Sequence, residues 1–288
     1  MPIQSNVFPT KLTLNCRGRL PDLSTPKVMG ILNCTPDSFY DKGKHFSVDD
    51  AVTHGLKMIE DGATIIDIGG QSTRPQSERI SADEEWSRVE PVLRELVRRL
   101  GGNTFISIDT YHSDVAIKAI EAGASIINDI SAGYYDPNIF TVAAKYNTPY
   151  VLMHMQGTPE AMQNNPVYDE LLYEVICFFR DKLQLLHQAG VYDVVIDPGF
   201  GFGKNVEHNY TLLKHLHELK LLGCPVLVGL SRKSMITRVL NIKAADALNG
   251  TTALHMLALQ NGASLLRVHD VKEAVEAVNL WLHFESEV

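Results

Sequence analysis

The sequence predicts an α/β protein, an eight-stranded (β/α)8 barrel with an N-terminal β-hairpin, and three observations carry that expectation. Helical segments repeatedly end in Gly and run within a few residues into a short apolar strand. Eight such strand cores can be counted, and each is apolar throughout rather than alternating. Continuously apolar strands are buried on both faces, as in a parallel sheet covered by helices. Eight strand and helix units indicate a closed barrel, with an open doubly wound sheet as the alternative.

Taken in order, residues 1–26 form the expected hairpin, with 12–14 in one arm and Arg17-Gly18-Arg19 as its turn. The strand cores fall at 28–32, 64–68, 105–108, 125–127, 150–153, 194–196, 226–229 and 265–268. Between them lie amphipathic stretches such as 83–100, 169–188 and 271–283, where apolar residues recur at helical spacing. The glycines at 62, 101, 102, 123, 190, 223 and 262 mark helices turning back into the sheet, because the residue closing a helix often adopts a left-handed conformation. No linker or low-complexity segment divides residues 1–288, so one barrel domain is expected.

The chain has 288 residues and 45% hydrophobic content, enough for one large core. Its 26 Lys and Arg against 34 Asp and Glu leave a net charge of −8, so nucleic-acid binding is not expected and an anionic substrate requires locally placed cations. Cys16, Cys34, Cys177 and Cys224 are far apart and form neither a C-x-x-C pair nor a zinc spacing, which fits a reducing cytoplasm. The first residues lack the charged-then-apolar pattern of a secretion signal, and no apolar run reaches membrane-spanning length.

In such a barrel the C-terminal strand ends carry the chemistry, so the residue that interrupts each apolar run is informative. Asn33 follows the first strand, Asp109 the third, Asn128 the fourth, His154 the fifth and Asp197 the sixth. Ser231-Arg232-Lys233 follows the seventh, and Arg267 with His269 closes the eighth. Asp129, Asp136 and Asp270 are read as helix N-caps. An incompletely paired buried charge costs on the order of several kcal/mol. A shared polar ligand satisfies Asp109, Asp197, Lys233 and Arg267 together. Carboxylates beside amides suit a heterocycle with adjacent N–H donors, and Lys and Arg suit carbonyl or phosphate oxygens.

Two loops, 34–46 and 69–81, are long and rich in Gly, Pro and hydroxyl residues, a pattern typical of active-site lids. Asp197-Pro198-Gly199-Phe200-Gly201-Phe202-Gly203-Lys204 fits neither the phosphate-loop nor the dinucleotide spacing; its glycines permit tight turns while Phe200 and Phe202 present flat apolar surfaces. One of these rings is expected to line a pocket for an aromatic substrate; core packing is the alternative for both, less so for Phe202. The histidines form no metal cluster. Only His269, two residues from Arg267 on the same strand face, is read as functional, with His154 ambiguous.

Met29-Gly30-Ile31-Leu32-Asn33 with Thr35-Pro36-Asp37-Ser38-Phe39, and Asp67-Ile68-Gly69-Gly70-Gln71-Ser72-Thr73-Arg74-Pro75, closely resemble the two signature blocks of the dihydropteroate synthase family. Later blocks follow in family order: Ser107-Ile108-Asp109-Thr110, Ile127-Asn128-Asp129, Met153-His154-Met155-Gln156-Gly157, 197–204, Ser231-Arg232-Lys233-Ser234 and Arg267-Val268-His269-Asp270-Val271. The resemblance spans roughly residues 27–275. It implies a pterin-binding TIM barrel that uses Mg²⁺ and joins (hydroxymethyl)dihydropterin diphosphate to p-aminobenzoate, releasing diphosphate.

By that resemblance, Asp109, Asn128, Asp197 and Lys233 hold the pterin, with Met153 against the ring and Arg267 stacked on it. Asn33 takes Mg²⁺; Thr73, Arg267 and His269 bind the diphosphate, beside Val268. The p-aminobenzoate lies near Phe39, Pro75, Phe202, Ser231 and Lys233, and the residues acting in catalysis are Lys233, Arg267, Thr73, Arg74 and Asp37. The family is commonly homodimeric, with 244–259, Trp281 and Leu282 offering an apolar contact. After Phe39 the sequence departs from the family's small residues and paired glycines, with Tyr40, Lys42 and a single Gly43 before Lys44. A pterin-binding methyltransferase and a catalytically silent pterin-binding paralogue are the alternative functions.

Overall fold

A computed structural model describes residues 11–35, 47–72, 79–100, 104–157, 162 and 166–286. Eight parallel strands form the sheet: β1 (Lys27–Asn33), β2 (Ile65–Gly69), β3 (Phe105–Asp109), β4 (Ile126–Asp129), β5 (Tyr150–Met153), β6 (Val194–Asp197), β7 (Leu227–Val228) and β8 (Leu265–Val268). Their order is β6-β5-β4-β3-β2-β1-β8-β7. The parallel bridge Ile196↔Val226, with the Ile196 amide donating to the Pro225 carbonyl at 3.0 Å, joins β6 to β7 and closes the barrel. The helices between strands are α1 (Val48–Glu60), α2 (Ala82–Arg99), α3 (Ser113–Ala122), α4 (Asn138–Lys145), α5 (Leu171–Ala189), α6 (Val206–Lys214), α7 (Ser234–Leu240) and α8 (Leu248–Gln260). Helix α9 (Val271–Glu285) follows β8. Among the described residues, no helix is long and apolar enough to cross a membrane.

The strand expectations hold, with two informative shifts. β3, β4 and β6 run one or two residues further than their apolar cores, because Asp109, Asn128 and Asp197 are themselves paired in the sheet, opposite Asn128, Asp109 and Met153 respectively. β7 is shorter than expected, at two residues, with Val226 beside it making an isolated bridge to Ile196. The glycines expected to close helices at 62, 123, 190, 223 and 262 all have positive φ; 101 and 102 lie outside the described residues.

Side chains alternate across each strand. One set, including Leu32, Ile68, Ile108, Ile127, Leu152, Ile196, Val228 and Val268, packs outward into the core shared with the helices. The other set points inward. Its lower layer is wholly apolar: Met29, Ile65, Phe105, Ile126, Val151, Val195, Leu227 and Leu265 form one buried cluster with Leu14, Cys16 and Leu23. The last three come from the hairpin, whose arms pair at Thr13↔Asp22 and Cys16↔Arg19. The hairpin therefore plugs the N-terminal end of the barrel, and residues 1–10 lie outside the described residues.

Candidate active site

One step higher along the same inward faces, the lining becomes polar: Asp67 on β2, Ser107 and Asp109 on β3, Asn128 on β4, Asp197 on β6 and Arg267 on β8 are all inward by strand parity. Arg267 is level with Met29, and Met29 with Ile65, so its guanidinium reaches over β1 toward the upper part of β2 and β3. There Nε donates to Asp67 Oδ2 at 2.7 Å and Nη2 to Asp109 Oδ2 at 2.6 Å. Asn128 Nδ2 donates to the same Asp67 oxygen at 2.8 Å. Asp67 Oδ1 is a buried acceptor with no partner among the described residues.

Asp67 is the residue that the sequence reading missed, although its carboxylate joins Arg267 and Asn128 at the centre of the cluster. An Asp inside the run Ile65-Ile66-Asp67-Ile68 was the available signal. A buried carboxylate in an otherwise apolar strand requires a partner.

Asp197 accepts the Gly199 amide at 2.7 Å through Oδ1. Lys233, on the loop after β7, donates Nζ to the Phe200 carbonyl and lies 4.6 Å from the centre of the Phe202 ring. Three carboxylates, Asp67, Asp109 and Asp197, thus share two cations, Arg267 and Lys233. Burial pushes Asp109 up to about 7 against the pull of Arg267, with Asp67, Asp129 and Asp197 adding to the rise. Asp197 is raised by burial against Lys233. Burial brings Lys233 down to about 8 despite Asp197. A ligand that donates N–H groups to these carboxylates relieves the surplus negative charge.

Beside the cluster stands an apolar wall of Tyr111, Ile130 and Met153, with Tyr135, Met155 and Phe202 packed against it. Met153 and Phe202 were expected here; Tyr111 and Ile130 were not. Phe200 is fully buried in the strand-helix core, so its side chain is structural.

On the far side, Ser231 Oγ lies 3.1 Å from His269 Nδ1 and accepts the His269 amide at 3.3 Å. Burial, helped by Arg267, lowers His269 to about 4, so the ring is neutral. With the hydroxyl donating to Nδ1, Nε2–H is a donor for an anion. The backbone turns at Arg232 in the left-handed region, φ +57, which L side chains rarely adopt. Its guanidinium holds the turn through a two-pronged pair with Asp270 at 2.8 and 2.7 Å and bonds to the Ala244 and Ala245 carbonyls. Asp270 thus anchors Arg232, where an N-cap bond was expected. Asp129 and Asp136 are structural but are not N-caps, since His112 precedes α3 and Pro137 precedes α4; they accept the Ser131 and Gly133 amides and the Ser113 and Asn138 amides respectively.

Two expectations are revised. Val268 points into the outer core with the helix-facing side chains, so its side chain does not line the mouth. Trp281 and Leu282 are partly buried against the same core; the apolar residues exposed on this side are Val239, Leu240, Leu257, Leu280 and Phe284. Asp37, Phe39, Thr73, Arg74 and Pro75 lie outside the described residues. Asn33 ends β1 opposite Gly69 and is half-buried. Among the described residues no group of three His, Cys, Asp or Glu side chains is placed to hold a metal.

These features define a barrel with carboxylates, an amide, cations and a neutral imidazole gathered at its mouth beside an apolar wall, a lining suited to a polar heterocycle and an anion. The model of the pterin binding enzyme family matches residues 29–269. The chain is 46% identical to the dihydropteroate synthase of Escherichia coli over 271 residues, 93% of this chain and 95% of that one. It is 46% identical to the enzyme of Bacillus subtilis over 85% of this chain and 84% of that one. Among solved structures, the dihydropteroate synthase of Yersinia pestis in a sulfonamide drug complex superposes with a TM-score of 0.90 at 45% identity, covering 96% of this chain and all of that one. That of Xanthomonas albilineans in complex with 7,8-dihydropteroate superposes at 0.86 and 40% identity, with the same coverage. The chain belongs to the dihydropteroate synthase family of pterin-binding barrels.

Proposed function

We infer that the chain condenses (hydroxymethyl)dihydropterin diphosphate with p-aminobenzoate, releasing diphosphate and forming dihydropteroate. The observation that carries this reading is the network inside the barrel mouth in which Arg267 bridges Asp67 and Asp109 while Asn128 donates to Asp67. Asp109, Asn128 and Asp197 present the acceptors and the amide that a pterin's adjacent N–H and carbonyl groups require. Lys233 meets the pterin carbonyl, and Met153 with Phe202 supplies apolar surface for the two aromatic partners.

In the reaction the bond between the pterin methylene carbon and the diphosphate oxygen breaks, the amine nitrogen bonds to that carbon, and one amine proton leaves. No protein nucleophile is needed. Arg267 and the Nε2–H of His269 hold negative charge as it gathers on the departing oxygens, and the rigid strand ends hold the reactants in line. Orientation of this kind is worth roughly 7–11 kcal/mol of a barrier, and fixed donors add electrostatic stabilisation.

Mg²⁺ is expected with the diphosphate. A lone amide oxygen from Asn33 suits an ion that already carries diphosphate oxygens and water, the usual habit of Mg²⁺, and would not hold the ion unaided. When bound, the ion neutralises diphosphate charge. Exposed Val239, Leu240, Leu257, Leu280 and Phe284 on α7, α8 and α9 support a homodimer, and the free Cys16, Cys34, Cys177 and Cys224 support a cytoplasmic setting.

Incubating the protein with both substrates and identifying the product by mass tests the reading. Dihydropteroate with equimolar diphosphate is expected, and its absence overturns the function. Undiminished synthesis after exhaustive chelation counts against Mg²⁺ and Asn33.

A further inference from the structure

Lys204 is 2% exposed, which for a lysine demands a complete set of partners. Its Nζ lies 2.9 Å from the Phe202 carbonyl, 3.1 Å from that of Gly199, 3.4 Å from that of His154 and 2.9 Å from His154 Nδ1. An ammonium only donates, so Nδ1 is the acceptor. Burial, with Lys204 adding, holds His154 well below the usual imidazole range, so the ring is neutral and able to accept. Burial also lowers Lys204 itself to about 7 against Asp197.

These acceptors belong to the segment 197–204 and to the end of β5, which the segment wraps. The fit is close: at Gly199 (φ +68) a Cβ would stand 2.0 Å from the His154 carbonyl oxygen, and at Gly203 (φ +63) 2.3 Å from that of Gln156. Tyr168 adds a second pin, its hydroxyl donating to the Gly203 carbonyl at 2.8 Å.

The same segment carries three groups of the site. Phe202 stands in the apolar wall, the Phe200 carbonyl receives Lys233, and the Gly199 amide holds Asp197. Asp67, Asp109 and Asn128, by contrast, sit on β2, β3 and β4, away from this segment.

We propose that Lys204 is a positioning residue, an internal amino group that ties the 197–204 segment to the end of β5 and so sets where Phe202 meets the aromatic amine. It touches neither substrate. This rests on the function inferred above, and it predicts an effect weighted toward one substrate: the amine is misplaced most, while the pterin keeps its contacts to Asp67, Asp109 and Asn128 and loses at most part of those to Asp197 and Lys233.

The test is Lys204→Met, one atom shorter and without donors, assayed beside the wild type in the same synthesis reaction. A KM for p-aminobenzoate raised about tenfold or more is expected. Affinity for an unreactive pterin, measured by calorimetry, is expected to stay within about threefold. In a Phe202→Ala background, Lys204→Met should raise the amine KM by less than about threefold further, because the two act through one wall. An unchanged amine KM, equal losses for both substrates, or full additivity with Phe202→Ala overturns the proposal. If Lys204→Met fails to fold, Tyr168→Phe decides, since it removes one pin from the same segment: a selective rise in amine KM supports the proposal, and none overturns it. Lack of turnover by the wild type would sink the inferred function instead.

Discussion

Leu265 and Arg267 stand two residues apart on β8, both pointing into the barrel, and they live under opposite physics. Leu265 belongs to an apolar layer closed from below by Leu14, Cys16 and Leu23 of the hairpin. Burying a side chain of that size stabilises the fold by about 1.5–3 kcal/mol. Arg267 belongs to a layer of three carboxylates, two cations and an amide, where desolvation opposes every charge and only mutual pairing offsets it. The lower layer holds the barrel together; the upper layer is tolerated because the lower one is so well packed. Stability and chemistry are stacked along one strand.

Arg267→Met should produce the largest effect. It removes the partner of Asp67 and Asp109, and breaking one side of a buried pair costs about 3–5 kcal/mol. Synthesis should fall at least 10²–10³-fold, roughly the cost of losing one preorganised donor. Denaturant melts at two pH values sharpen this. Asp109 already stands near 7, and without the guanidinium it takes up a proton more easily. The stability loss should therefore be smaller at pH 5 than at pH 8. An equal loss at both would mean that Arg267 does not balance these carboxylates.

Leu265→Ala, one layer below, should do the reverse. It opens a cavity in a fully buried position and is expected to cost about 2–5 kcal/mol. The folded fraction should keep its KM values for both substrates. A rise in either KM beyond about threefold would show that the layers are coupled and that the division drawn between them is wrong.

The sequence made this division half visible. Asp109, Asn128 and Asp197 could be read because each ends an apolar run, and the break in pattern marks the strand's C-terminal end. Asp67 escaped because it lies within its strand; its pairing with Arg267 depends on how far β8 is staggered against β1 and β2, which closure of the barrel sets and no local pattern records. Val268 was misplaced for a simpler reason, since parity alone sends it outward once Arg267 points in. Arg232 and Lys204 were hidden by type: a lysine or arginine near a strand end reads as a ligand for substrate, whereas here each spends its donors on carbonyls, a carboxylate or a ring nitrogen of the protein itself.

Glu85 offers the smallest test, and it probes the rim between the two regimes. It lies on α2 with no exposed surface, Oε2 accepting from Thr110 Oγ1 at 3.0 Å while Oε1 has no partner among the described residues. Burial pushes it up to about 8, with Thr110 opposing and Asp109 adding. The folded protein therefore binds a proton that the unfolded chain, with its ordinary carboxylate near 4.5, releases. Stability contributed at low pH is then lost as pH rises from about 4.5 through about 8. Glu85→Gln keeps the shape and removes the titration. Its melting temperature relative to wild type should rise between pH 5 and pH 8.5 by at least roughly 2–4 °C, the shift that about 1 kcal/mol produces in a chain of this order of size. A difference that stays constant across that range would mean Glu85 is ionised in the fold, and that the charge cost confined to the barrel mouth extends out to α2.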